Sequence, residues 1–134
     1  MVFDHIGIFC ADLESGAKKM ADIFPGLIFD TPINDEGLKV SLLFCTDPSG
    51  VRYEIVAPHG DGNPVSGVLQ SGKAIFNHVA YRVDDLYYEA NRLRDSGAIP
   101  LGPPRQAVAF GGCKVMFFLP PLRFIVELIE NTNK

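Results

Sequence analysis

The chain repeats itself. Laid over its own sequence at an offset of 73 residues, Phe3 falls on Phe76, His5 on His78, Asp12 on Asp85 and Leu13 on Leu86. Further along, Phe44 falls on Phe117, Pro48 on Pro121 and Glu54 on Glu127. One offset that brings together aromatic, acidic, imidazole and turn residues points to two copies of a single supersecondary unit, which must bury their apolar faces by packing. With 134 residues, the chain has room for both copies within one domain and for little else.

Each copy reads as βαβββ. In the first, Phe3 to Cys10 alternates as a strand, with His5, Gly7 and Phe9 on one face and Asp4, Ile6 and Ile8 on the other. Asp12 is placed to cap a helix running to about Phe24, in which Leu13, Ala17, Met20 and Phe24 recur at helical spacing and Pro25-Gly26 ends the run. Short strands follow at Leu27 to Thr31 and Leu38 to Cys45, and the turn Asp47-Pro48-Ser49-Gly50 leads into a hairpin partner, Val51 to Ala57. The glycine-rich stretch from Pro58 to Gly72 reads as a connector with a short helical turn near Val68. The second copy has a strand at Ala74 to Val83, a helix capped by Asp84 or Asp85 and ended by Gly97, and a short strand at Ile99 to Leu101. Lys114 to Leu119 and Phe124 to Glu130 then form a hairpin around Pro120-Pro121. The expected organisation is module one over about 1–58, a connector over about 59–73 and module two over about 74–130. The fold class is α+β, with two tandem βαβββ modules curling into a cupped mixed sheet.

Composition narrows the function classes. Hydrophobic residues make up 47% and charged residues 21%, a balance that builds a core without a disulfide or structural metal. A formal charge of -4 argues against a nucleic-acid partner, which calls for concentrated positive charge. No apolar run is long enough for a membrane span. Met1 to Cys10 has neither a basic lead nor a small-residue cleavage site, so no signal peptide is expected. Three cysteines, Cys10, Cys45 and Cys113, cannot all pair within the chain, and each lies in an apolar stretch. Reduced, inert thiols and a cytoplasmic location are the expectation.

The chemistry rests on four residues. The chain has only three histidines, and two of them, His5 and His78, occupy equivalent repeat positions. Glu54 and Glu127 do the same, each inside an otherwise apolar strand where an unpaired buried charge would be costly. A lone strand histidine is usually structural, and a lone glutamate usually faces water. Their joint recurrence overrides that reading. If a pseudo-twofold axis relates the modules, His5, Glu54, His78 and Glu127 converge on one divalent ion. Two imidazoles favour zinc, nickel or cobalt; the carboxylates keep manganese and magnesium possible.

At these residues the sequence resembles the vicinal oxygen chelate superfamily, which includes glyoxalase I, extradiol dioxygenases, fosfomycin-resistance proteins and methylmalonyl-CoA epimerase. The resemblance covers essentially the whole chain and is carried by FDHIGIFCADLESG, YEIVAPHGDGNP, FNHVAYRVDDL and FIVELIE. It puts His5, Glu54, His78 and Glu127 on the family's four metal positions. FNHVAYRVDD, EIVAPHGDGNP and GAIPLGPPRQAVAFGGCKVMFFLPP look closest to methylmalonyl-CoA epimerases. Two positions depart from that subfamily. Glu54 stands where some epimerases have Gln, which gives the ligand set of bacterial glyoxalase I, and Val40 stands where an epimerase catalytic carboxylate is expected. Asp35, Glu36 or a metal-ligating glutamate would then have to supply the second base. Against glyoxalase I, the segment after Glu54 lacks the aromatic-Asn pattern associated with glutathione.

The resemblance implies an isomerase or epimerase that abstracts a proton beside the carbonyl of an acyl-CoA thioester, with Glu127 as first base and Glu54 as its symmetry-related counterpart. The alternatives are a glyoxalase I-like lactoylglutathione lyase and a small-molecule binding or resistance protein of the same fold. A homodimer is expected by the same resemblance. Arg105, Lys73 and Lys114 could meet coenzyme phosphates, although surface basic residues are usually just solvated. His59 reads as a turn residue, Tyr81, Tyr87 and Tyr88 as packing, and Cys113 as unactivated.

Overall fold

The structure is a computed structural model and describes residues 1–71, 77–122 and 124–131. Ten strands and three α-helices lie among the described residues. The chain forms two compact units, one of His5–Asn77 and the other of Met1–Asp4 with His78–Lys134.

In the first unit the strands are β1 (Val2–Phe9, of which His5 onward belongs here), β2 (Ile28–Phe29), β3 (Ile33–Asp35), β4 (Val40–Thr46) and β5 (Arg52–Pro58). Their order is β2-β4-β5-β1, with β3 also paired to β4. β1 and β5 run parallel, Gly7 beside Glu54 and Ile8 beside Ile55, and the other pairs are antiparallel. A parallel pair needs a long crossover, and helix α1 (Leu13–Ile23) lies within it. Alternation then sorts the side chains. Ile8, Cys45 and Ile55 pack with Met20 of α1, while His5, Gly7, Glu54, Phe44, Val40 and Asp35 share the opposite face by register.

The second unit repeats the plan. Its strands are β6 (His78–Val83), β7 (Ile99–Pro100), β8 (Arg105–Gln106), β9 (Lys114–Leu119) and β10 (Ile125–Glu130), in the order β6-β10-β9-β7 with β8 also paired to β9. β6 and β10 are parallel, and Ala80 stands beside Glu127 as Gly7 stands beside Glu54. On one face Met116, Phe118 and Leu128 pack with Leu86 and Ala90 of helix α3 (Leu86–Asp95). Ile55 and Leu128 are both fully buried. Each contributes roughly 1.5–3 kcal/mol of burial free energy.

Local chemistry sets the element ends. Asp12 caps α1 by accepting the Ser15 N–H at 2.8 Å, and Asp85 caps α3 by accepting the Tyr88 N–H at 3.0 Å. The Asp85 alternative is therefore the one realised. Gly97, at φ +99°, ends α3 in a conformation that would strain a side chain. The Asp47–Gly50 turn closes as expected, with Asp47 Oδ1 accepting the Ser49 and Val51 N–H groups.

Two expectations need correction. Leu38 and Lys39 belong to a turn rather than to β4, because Asp35 Oδ1 accepts the Leu38 N–H at 2.9 Å and Lys39 turns left-handed at φ +57°. β3, β8 and a 3-10 turn at Val108–Phe110 are additional elements. The helical turn expected near Val68 is present as α2 (Val65–Ser71), capped by Asn63, whose Oδ1 accepts the Val65 and Ser66 N–H groups. The expected strand start at Ala74, and Lys73, lie outside the described residues.

Candidate metal centre

Each unit builds the same pair. In the first, His5 lies two residues before Gly7 on β1 and so shares the face of Glu54. The His5 Nε2 atom is 3.5 Å from Glu54 Oε1. In the second, His78 lies two residues before Ala80 on β6, and its Nε2 is 3.3 Å from Glu127 Oε1. All four residues are buried. Small residues, Gly7 and Ala80, stand beside the two glutamates.

The second layer repeats as well. Phe44 is the cross-strand partner of Glu54 and meets the His5 ring edge-on at 5.4 Å; Phe117 is the partner of Glu127 and meets the His78 ring edge-on at 5.8 Å. Both phenylalanines restrict their imidazole to one plane. The Arg52 guanidinium lies over the Phe44 ring, 3.8 Å from its centre.

The donor set fits a divalent metal ion. Two donors each about 2.0–2.2 Å from a shared ion stand roughly 3.0–3.5 Å apart at octahedral to tetrahedral angles, and both His–Glu separations are of that size. Imidazole nitrogen with carboxylate oxygen suits zinc, nickel, cobalt or manganese. Carboxylates buried this deeply are costly unless a cation or protonated partner compensates them.

The other candidates are placed elsewhere. His59 is paired with Glu36 at 2.7 Å on the surface, and Glu36 is 81% exposed. Arg105 is exposed on β8, and Lys114 is exposed with its ammonium 5.9 Å from the Tyr87 ring centre. Tyr87 and Tyr88 are exposed on the outer side of α3. Tyr81 is half-buried and edge-on to Phe3. Cys10, Cys45 and Cys113 are free thiols. Burial, with the Asp12 charge second, pushes the Cys10 thiol up to about 11, and burial likewise raises Cys45. Neither is an activated nucleophile.

One acidic residue gains importance. Asp35 is 1% exposed and stands directly across from Val40. It lies on the same sheet face as Glu54, two rungs further along. Glu36, the neighbouring candidate, points to solvent. Sequence alternation alone could not separate them.

Among the described residues no helix is long and apolar enough to cross a membrane. The family model described as the glyoxalase/bleomycin resistance protein/dioxygenase superfamily matches residues 4–117. An ethylmalonyl-CoA/methylmalonyl-CoA epimerase from Cereibacter sphaeroides is 30% identical over 128 residues, which span 95% of this chain and 93% of that protein. The methylmalonyl-CoA epimerase of Mycobacterium tuberculosis superposes with a TM-score of 0.77 at 22% identity, covering 98% of this chain and 88% of that one. A variant of the Streptomyces coelicolor methylmalonyl-CoA epimerase, in complex with 2-nitronate-propionyl-CoA, gives a TM-score of 0.79 at 21% identity, covering 99% and 96%. Likeness at these identities establishes the fold.

Proposed function

The chain belongs to the glyoxalase/bleomycin resistance protein/dioxygenase superfamily, and from that premise we propose that it is a metal-dependent epimerase acting beside the carbonyl of an acyl-CoA thioester. The observation that carries the proposal is the duplicated, buried His–Glu pair, together with the full-length likeness to an ethylmalonyl-CoA/methylmalonyl-CoA epimerase. In this reading His5, Glu54, His78 and Glu127 hold one divalent ion between them.

When bound, such an ion polarises a substrate carbonyl and stabilises the negative charge that develops on its oxygen. The chain's own residues move the proton. Glu127 takes it from the α-carbon on one face, as the family resemblance implies. Glu54 is the symmetry-related candidate for the other face; like Glu127, as a member of the donor set it would be a weak base until substrate displaces it from the ion. Asp35 is the better second carboxylate. It is buried on the site-bearing face and lies outside the donor set. The absence of a carboxylate at Val40 is thereby compensated from the adjacent strand. The apolar wall of Val40, Leu42 and Val56 keeps water from competing for the carbanion-like species.

The resemblance also supports a homodimer in a reducing cytoplasmic setting, and light-scattering mass tests the first part. The decisive assay is solvent-deuterium incorporation at the α-carbon of methylmalonyl-CoA by metal-loaded protein. Incorporation with loss of configuration is expected, and Asp35→Asn should retain exchange while losing inversion. Thiol-dependent turnover of methylglyoxal without such exchange would replace this reading with a glyoxalase I-like lyase. Ligand-dependent thermal stabilisation that survives a chelator, with neither activity, would replace it with a binding protein.

A further inference from the structure

We propose that Arg82 is a substrate-specificity residue that grips an oxyanion of the thioester substrate; the inference rests on the acyl-CoA reading above. Alternation along β6 puts His78, Ala80 and Arg82 on one face. Arg82 is the register partner of Ile129, one rung beyond the Ala80–Glu127 rung. Two residues of strand separate those rungs, or roughly 6–7 Å, within the reach of an arginine side chain.

The guanidinium is anchored but not consumed. Its Nε–H donates to Asp4 Oδ1 at 2.8 Å, and its Cζ lies 5.5 Å from the centre of the Phe110 ring. Asp4 is nearly buried, at 8% side-chain exposure, whereas Arg82 is 34% exposed. The fork carries five N–H donors in one plane, and the Nε bond uses one of them. Among the described residues, the Arg82 side chain makes no other hydrogen bond. An arginine held at Nε in a side chain that is 34% exposed is preorganised for bidentate binding of carboxylate or phosphate.

The repeat supplies the second argument. The rung of Arg82 continues through Ile129 and Val115 to Arg105. The matching rung of the first unit is Phe9, Val56, Leu42 and Ile33, apolar throughout. Cations thus replace apolar residues at both ends of one rung, on the face of its sheet that bears His78 and Glu127. Packing alone would have kept the apolar pattern. A thioester of this class carries two kinds of oxyanion, the acyl carboxylate and the coenzyme phosphates, and either matches the fork.

The test measures dissociation constants of metal-loaded protein for methylmalonyl-CoA, propionyl-CoA and the methylmalonyl thioester of pantetheine. The variants are Arg82→Lys, Asp4→Asn, and Arg82→Met combined with Asp4→Asn so that no buried carboxylate is stranded. Arg82→Lys and the double variant should weaken methylmalonyl-CoA binding roughly 10- to 100-fold, the size of a lost charge-assisted bidentate contact. Asp4→Asn alone, which keeps the arginine and an amide oxygen to accept its Nε–H, should weaken binding less than either Arg82 variant, by up to about threefold. If the carboxylate is the group held, the loss persists with the pantetheine thioester and vanishes with propionyl-CoA; if a phosphate is held, the pattern reverses. Unchanged affinity in both Arg82 variants overturns the proposal. Equal losses in Asp4→Asn and the Arg82 variants, with a matching fall in melting temperature, make the pair a structural clasp and overturn it too. A parent protein that binds none of the three thioesters overturns the acyl-CoA reading itself, and this inference with it.

Discussion

Phe44 meets the His5 imidazole edge-on, with ring centres 5.4 Å apart and planes 80° apart. The same contact recurs between Phe117 and His78 at 5.8 Å and 85°. Each phenylalanine is also the cross-strand neighbour of the glutamate in its unit, so one ring orients both donors of a pair. Neighbours that orient ligands typically account for 10- to 100-fold in metal affinity. Phe44→Leu and Phe117→Leu keep most of the volume and lose the flat edge. Each should weaken metal binding about tenfold while leaving the far-ultraviolet dichroism unchanged. Competition with a chelator of known affinity checks this, and unaltered affinity in both would show that the rings only fill space.

Ile55 and Leu128 stand one residue after the two glutamates, point to the helix side of their sheets and are fully buried. Truncation there removes packing without touching the donors. Ile55→Ala and Leu128→Ala should each cost about 2–5 kcal/mol. Urea unfolding with an unchanged slope would attribute the loss to the folded state. A cost below about 1 kcal/mol at either site would contradict the buried placement.

The site was more legible than the strands around it, for a physical reason. The His–Glu pairs follow from the repeat alone, because an equal offset puts equal residues at equal places whatever the fold turns out to be. β3 is different. Its three residues, Ile33 to Asp35, include Asn and Asp, which favour turns, and only pairing with β4 makes them a strand. Leu38 and Lys39 alternate convincingly with Val40, yet the Asp35 side chain captures the Leu38 N–H and turns the chain instead. The cap of α2 carried a readable signal, Asn63-Pro64 ahead of Val65, with a capping amide followed by proline at the first helical position. The burial of Asp35 carried none, since nothing local distinguishes it from exposed Glu36.

The Asp85 carboxylate accepts the Tyr88 N–H at 3.0 Å and ends an otherwise unsatisfied first turn. Asp85→Ala should lower stability by about 1 kcal/mol, within a usual range of roughly 0.5–2. Asp85→Asn should preserve most of it, because the amide oxygen accepts the same bond. Thermal melts of the two variants side by side separate capping from simple loss of charge.

Acid should loosen the first unit through two exposed carboxylates. Hydrogen bonds from the Ser15 backbone and hydroxyl hold Asp12 below the ordinary carboxylate range, and those from Ser49 and Val51 do the same for Asp47. A depressed native pKa stabilises the fold above the unfolded value, near pH 4, and that contribution disappears as pH falls through the lower native value. Melting temperature should therefore drop between about pH 4 and pH 2. The double variant Asp12→Asn, Asp47→Asn keeps acceptors at both places and should show a shallower drop. An identical acid limb would remove these two groups from the account.

Alkali tests the opposite sign at Cys10. Its thiol is pushed up to about 11 from an ordinary 9.0, first by burial and then by the Asp12 charge. The folded state therefore keeps a proton that the unfolded chain releases earlier. The stabilisation is complete below the unfolded value and is lost as pH rises from about 9 toward 11. The same shift starves the native protein of thiolate, the species that reacts. At pH 8.5 iodoacetamide should label Cys10 far more slowly in the native protein than in urea-unfolded chain, with peptide mapping to assign the site. Cys10→Ala should flatten the alkaline fall in stability. It should also remove the thiol contact to the Val56 carbonyl at 3.7 Å, a weak bond whose loss changes neutral stability little. Rapid native labelling of Cys10 would mean that the strand end where it sits opens readily.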